Sequence, residues 1–407
     1  MRIGIIVNAF PIRSQTFIVD HATELLRRGH EVVVIPLNSR TGRDWSPPPA
    51  VTETVRATEP TPGPRSLSRN PLEGLPLLMR AALPGRVRQL RFALEKQGAP
   101  RGLRHRVLLA ERAARSGPFD VVHSQFAWTA PAALGMKRRG IFQAPVICSI
   151  HGQDANVTGR QHPGWLAAIS EQVASMTVGS TFMRTAVEGH GVAPEKLRLW
   201  PQGVDVDREA IHLASPDGTF RVLSVHRLVE FKGADDSLRV IAAARARIPR
   251  LHYTVIGDGP LRPSLVALAD ELGVGDIVTF AGPRSHTEAL AAHSSTDVYL
   301  QMGRTAADGS TEGQGVAPCE AAASGIPCIA TRSGGLSDVI ADGMTGVLTD
   351  VGDIAAAADA LVRLAHDEQR RRALGEAARA FMRERFSIGA TTDRIEAIYR
   401  EAIESSR

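Results

Sequence analysis

Cysteine is nearly missing from these 407 residues, with only Cys148, Cys319 and Cys328 present. Three thiols with no C-x-x-C pair cannot build a disulfide framework, so a reducing cytosol is the expected setting. Aromatic residues make up only 5% of the chain. That leaves few faces for stacking bases, and nucleic acid is set aside as a partner despite the basic pI of about 9.5. No apolar run approaches the ~18–20 residues of a membrane-spanning helix. The run Ile3–Val7 is also too short for the core of a signal peptide. Lysine is scarce as well: Lys96, Lys137, Lys196 and Lys232 are the only four.

What is present is an ordinary globular composition, with 43% hydrophobic and 22% charged residues and a mean hydropathy of −0.08. The length suffices for two cores. Charge is unevenly divided. Residues 1–200 carry 26 basic and 14 acidic residues, whereas residues 201–407 carry 22 and 29. A net +12 half joined to a net −7 half suggests that the first half meets an anionic surface or substrate. A solvated helical face accounts for the same charges.

Strand and helix patterns alternate along most of the chain. Ile3–Val7 reads as a strand buried on both faces, followed by a helix over 16–28 that Gly29 stops. Further strands read at 31–36, 121–123, 145–150 and 176–178. Residues 41–73 break the pattern with a run of prolines, and 75–94 read as basic amphipathic helices containing Arg86, Arg88 and Arg91. In the second half, strands fit 221–225, 251–256, 277–280, 298–301 and 327–330. Helices fit 234–247, 260–272, 286–294, 316–323, 335–341, 353–366 and 367–385. Residues 201–217 are the best linker candidate. Strict βα alternation predicts two α/β, doubly wound, Rossmann-like domains facing across a cleft, with ligands outside the carboxyl ends of the strands.

The most informative stretch is Glu312-Gly313-Gln314-Gly315-Val316-Ala317-Pro318-Cys319-Glu320. Glycines before a helix let the backbone approach a ligand, and first-turn N–H groups favour phosphate. Glu312 and Glu320 can accept from hydroxyls at two ends of one ligand; a glutamate cap and a surface acid fit the spacing too. Arg227 and Lys232 follow a strand and are suited to neutralising a diphosphate. Gly257 opens a short glycine turn after another strand, a weak signal alone. His151 ends a strand in the first half, and the loop containing Ser14 and Gln15 follows the first strand. Asp205 and Asp207 read as a turn and not a metal pair.

Taken in order, these pieces resemble the GT-B-fold retaining glycosyltransferases of family four, in the bacterial exopolysaccharide type. The resemblance rests on Glu312 and Glu320 as E-x7-E, with Arg227, Lys232-Gly233, Gly257-Asp258-Gly259-Pro260, Ser333-Gly334-Gly335, His151-Gly152 and Ser14-Gln15-Thr16-Phe17-Ile18. It covers most of the chain outside about 41–115. It implies an acceptor-side domain over 1–200 carrying the basic insertion at about 41–115. A nucleotide-sugar domain over 201–386 and a helix over 387–407 returning to the first domain complete the expectation.

By matching position, the resemblance gives His151, Arg227, Lys232 and Glu312 catalytic roles. It assigns donor binding to Ser14, Gln15, Gly257, Gly313, Gln314, Gly315, Val316 and Glu320. It implies a UDP- or GDP-sugar donor, no cofactor and no metal, and a glycan, lipid-linked or small-molecule acceptor. A cytoplasmic protein touching the inner face of the plasma membrane through its basic half is the expected setting. His226 and Asp338 depart from the family's usual Gly and Glu. An epimerase or phosphorylase of the same architecture, and a catalytically silent membrane-surface binding protein, are the rival readings.

Overall fold

The computed structural model describes residues 1–10, 16–38, 56–57, 103–207 and 217–407. Ser14, Gln15, Arg86, Arg88, Arg91 and most of the segment 41–115 lie outside them. The chain divides into two units, one of Met1–Val178, Arg184–Trp200 and Thr392–Arg407, the other of Gly179–Met183 and Pro201–Thr391.

The first unit is built on β1 (Arg2–Val7), β2 (Glu31–Pro36), β3 (Arg56–Ala57), β4 (Val121–Ser124), β5 (Val146–Ile150), β6 (Ser175–Val178) and β7 (Leu197–Leu199). They form one parallel sheet in the order β3-β2-β1-β4-β5-β6-β7. β1 and β2 are runs of Ile and Val, as suits strands buried on both faces, whereas β4, β5 and β6 also carry the buried polar His123, Ser149 and Thr177. Ile3, Ile5, Val32, Val34, Val121 and Ile147 share a core with Ile395, Ile398 and Tyr399 of the helix Ile388–Glu404.

The second unit is built on β8 (Phe220–Val225), β9 (Leu251–Ile256), β10 (Val278–Gly282), β11 (Val298–Gln301), β12 (Cys328–Thr331) and β13 (Gly346–Thr349). Its sheet, also parallel, runs β10-β9-β8-β11-β12-β13. Alternate residues feed two cores, one per face. Val222, Val298, Leu300 and Ile329 face one; Leu223, Tyr299, Cys328 and Ala330 face the other. Cys319 and Cys328 are free, buried members of this packing, as small hydrophobes commonly are. The helices Ile354–His366 and Glu368–Arg385 are started by Asp353 and Asp367, whose carboxylates accept from Ala356 N and Arg370 N.

The segment read as a linker is packed at its beginning. Val204 and Val206 are buried in the second unit's core, and Val204 N donates to Phe386 O. Its prolines and glycine suggested a loop, but two valines on alternate positions find a hydrophobic face. Asp205 accepts from Asp207 N at 3.1 Å, so this acidic pair forms a turn.

The order of strands reverses direction between β8 and β11. In open parallel sheets the loops leaving the carboxyl ends at such a switch point diverge, which opens a crevice for a ligand.

Candidate functional site

Two loops flank the switch point of the second unit. The one leaving β8 carries His226, Arg227 and Lys232; the one leaving β11 carries Glu312 to Gly315. Glu230–Lys232 form a short 3₁₀ turn that ends on Gly233 at φ +66°, where a side chain would run into the Met302 carbonyl. This close approach ties the β8 loop to the end of β11. Residues 80 apart thus meet: Lys232 Nζ donates to Glu312 Oε2, which also accepts from Gln301 Nε2 at 3.0 Å.

Glu312 is buried. Burial pushes its carboxyl upward, but the Lys232 charge and the hydrogen bonds from Lys232 and Gln301 prevail and hold it below the usual range. It is therefore an anion at neutral pH. Arg227 is exposed, and its guanidinium lies 5.8 Å from the centre of the Phe231 ring, with Lys232 Nζ at 5.3 Å from the same ring. One aromatic ring thus spaces two cations beside an anchored carboxylate.

His226, which stands where Gly was expected, is buried and neutral; burial and then the Lys232 charge lower its pKa to about 4. Its Nδ1 donates to Arg227 O at 3.0 Å. Gly257 follows β9 and its N–H donates to Gly282 O, while His226 N donates to Ile256 O. The glycine turn and the β8 loop are thereby laced together.

The loop before the helix Val316–Ala323 is pinned from several sides. Gly335 N donates to Glu312 O at 2.9 Å, and side chains at Gly334 or Gly335 would collide with the Glu312 and Gly313 carbonyls. Ser180 Oγ donates to Gly313 O at 2.5 Å. The Gln314 side chain bonds both the Gln202 N–H (2.7 Å) and the Gln202 carbonyl (3.0 Å), so its amide is used to hold backbone. Gly315 at φ +94° turns the chain into the helix, and Val316 is its first residue. Glu320 lies on that helix as a partly exposed residue among the buried Cys319 and Ala321 to Ala323, and its Oε1 accepts from His286 Nε2 at 2.8 Å. Asp338, the short acid, still reaches Thr181 Oγ1 at 2.5 Å.

In the first unit His151 follows β5. Its backbone N–H donates to Asp154 Oδ2 at 2.9 Å, and its ring packs 4.5 Å from Phe126 and 5.3 Å from Phe17. Burial lowers its pKa to about 4, and Asp154, buried beside it, is raised to about 7.

The structure thus gathers Arg227, Lys232, Glu312 and the Gly313–Val316 loop at one switch point, with Gly257 next to it. Ser14 and Gln15 lie outside the described residues. Sequence reasoning missed Gln301 and His286. Gln301 carried a signal, a polar residue at the carboxyl end of an apolar strand; His286 carried none, lying 34 residues from its partner. Among the described residues no group of three or more His, Cys, Asp or Glu is placed to hold a metal ion. No helix among them is long and apolar enough to cross a membrane.

The chain is similar to known proteins over both units. Residues 205–381 match the family model "Glycosyl transferases group 1", and residues 14–208 match "Glycosyltransferase Family 4". A GDP-mannose-dependent alpha-(1-6)-phosphatidylinositol monomannoside mannosyltransferase of Mycolicibacterium smegmatis is 30% identical over 286 residues, 65% of this chain and 72% of that protein. A putative colanic acid biosynthesis glycosyltransferase, WcaL of Salmonella typhimurium, is 26% identical over 90% of this chain and 92% of its own. The crystal structure of Anabaena HepE with UDP and glucose superposes with a TM-score of 0.70 at 16% identity, covering 98% of this chain and 99% of HepE. At that identity the likeness concerns the fold alone.

Proposed function

Since the chain belongs to the GT-B glycosyltransferases of family 4, we propose that it moves a sugar from a nucleotide-diphosphate sugar to an acceptor hydroxyl with retention at the anomeric carbon and without a metal ion. One relative is named for GDP-mannose-dependent mannosyl transfer and another for glycosyl transfer in colanic acid biosynthesis. The finer reading concerns how this chain performs it.

The observation that carries the reading is the convergence of Lys232, Glu312 and Gln301 at the switch point, with Arg227 beside them. Glu312 and the backbone N–H groups of Gly313 to Val316 hold the hydroxyls of the transferred sugar. Arg227 and Lys232 take the diphosphate, and Glu320 takes the ribose. For His151, contact with the sugar rests on the resemblance alone.

In the reaction the bond from the anomeric carbon to the phosphate oxygen breaks, and its electron pair leaves with the diphosphate. The acceptor oxygen bonds to that carbon from the same face, and its proton passes to the departing phosphate. Negative charge grows on the diphosphate as this happens. Two preplaced cations stabilise it most when water is excluded, which is the service a metal performs elsewhere.

The basic first half, net +12, supports an anionic or lipid-linked acceptor and peripheral contact with the inner face of a membrane. Salt-sensitive sedimentation with phosphatidylglycerol vesicles, and none with neutral vesicles, is the expected behaviour. The central experiment incubates the chain with GDP-mannose or UDP-glucose and an acceptor, with and without EDTA, and reads the product anomer by NMR. A retained anomer formed equally with EDTA is expected. An inverted product or loss of turnover in EDTA would remove that part of the proposal, and donor consumption without acceptor would favour an epimerase.

A further inference from the structure

We propose that His286 is a positioning residue for the nucleoside half of the donor: it fixes the Glu320 carboxylate in the single orientation that meets the ribose diol. The inference deepens the reading of Glu320 given above and rests on it. His286 Nε2 donates to Glu320 Oε1 at 2.8 Å, and every side-chain hydrogen bond to that carboxylate among the described residues goes to Oε1. Oε2 is therefore left as an acceptor on a half-buried side chain, 15% exposed. A ribose offers two adjacent hydroxyl donors. A carboxylate whose rotation is blocked meets both without first losing side-chain freedom.

The two residues lie on helices that follow strands ending at the same edge of the sheet. His286 follows β10 and Glu320 follows β11. His286 is the first residue of the helix His286–Ala292, and that start is fixed by reciprocal bonds: Ser285 Oγ accepts from Glu288 N, and Glu288 Oε2 accepts from Ser285 N at 2.8 Å. The imidazole is thus presented from a capped turn and not from a free loop. Its Nε2 must carry the proton, because a carboxylate only accepts. Glu320 itself sits on a helix anchored by the buried Pro318, Cys319 and Ala321 to Ala323. Backbone motion on either side is therefore small, and the pair acts as a fixed bracket.

The test is the discrimination between ribose and 2′-deoxyribose. UDP, GDP and their 2′-deoxy forms are titrated calorimetrically into the full chain and into His286→Phe, His286→Gln and Glu320→Gln, with thermal melts run alongside. The wild-type chain is expected to prefer the ribonucleotide about tenfold, the scale of one hydrogen bond to a charged group. His286→Phe should bring that ratio below about threefold while binding of the 2′-deoxy form stays within about twofold. His286→Gln, which keeps an N–H donor, should restore most of the preference; it also serves if the Phe variant fails to fold. An undiminished ratio in His286→Phe, with Glu320→Gln losing it, would overturn this inference and leave the ribose reading of Glu320 standing. A wild-type chain that binds UDP or GDP without preferring ribose would overturn both. A chain binding neither nucleotide would overturn the donor reading from which the inference starts.

Discussion

Both units bury polar side chains at their sheets, but on opposite electrostatic terms. In the first, His21 Nε2 donates to Tyr399 Oη at 3.2 Å, Tyr399 donates to His123 Nδ1 at 2.7 Å, His123 Nε2 to Ser149 Oγ at 2.7 Å, and Ser149 to Thr177 Oγ1 at 2.7 Å. This direction of donation requires a neutral His123 ring, because its Nδ1 accepts. Gln125 Nε2, which only donates, also points to His123 Nδ1, at 3.4 Å. Burial keeps both rings neutral: it lowers His21 to about 3, lowers His123 well below the ordinary value and raises Tyr399. In the second unit Lys232 and Glu312 keep full charges in contact. The difference separates two uses of buried polarity. Neutral groups wired to one another hold a fold together. Opposed charges add little net stability after desolvation, yet they are ready to be shared with a polar ligand that bears both hydroxyls and phosphates.

The strongest way to break this contrast is Lys232→Ala, which should cut sugar transfer by about a thousandfold in initial-rate assays and also lower the melting temperature. The double variant Lys232→Met with Glu312→Gln should regain most of the stability and none of the activity, because no unpaired charge is left buried. Recovery of turnover in the double variant would erase the functional half of the comparison. Next in size is Tyr399→Phe, which takes the hydroxyl from His21 Nε2 and leaves His123 Nδ1 with only the longer bond from Gln125 Nε2. Urea unfolding should show a loss of ~1–3 kcal/mol, with turnover per folded molecule unchanged. A fall in turnover at unaltered stability would reverse the assignment.

A third effect is graded by pH. His21, His123, His151 and His226 have folded pKa values below 6.5, so each favours the folded state most above that pH. Their contribution is lost as pH falls from 6.5 toward the lowered values, by at most about 1.4 kcal/mol per pH unit for each group. Glu312, with a lowered carboxyl pKa, keeps its contribution above about 4.5 and loses it only in stronger acid. Asp154, raised to about 7, works in the opposite sense below that pH, but it is one group against four, so stability measured between pH 7 and 5 should decline, and less steeply in His21→Leu. A flat profile would mean that these rings are not held neutral.

Much of the fold was legible because buried parallel strands leave an unambiguous apolar run. β9 and β11 and the helix Val316–Ala323 coincide with the stretches read from the sequence. β7 and β13 did not show. They are three and four residues long at sheet edges, and β13 begins on Gly346, so neither has the length or pattern of a strand. In the site, charged residues after strands were legible by position, since a parallel sheet sends its ligands to that edge. Partners were not. Nothing local to Gln314 indicates that its amide would be taken up by the Gln202 backbone, 112 residues away. Nothing local to His21, His123 and Tyr399 joins them across 276 or more residues, because such contacts exist only once the chain has folded back.

Tyr399 has a further consequence during synthesis on the ribosome. The strands of the leading unit emerge first, yet a side chain that its interior depends on comes only after every strand of the trailing unit. Its sheet must wait with two histidines lacking their phenol, whereas the trailing unit can close from one nearly continuous stretch. The polar chain inside the earlier-made lobe is therefore complete only once the later-made sheet has also been synthesised.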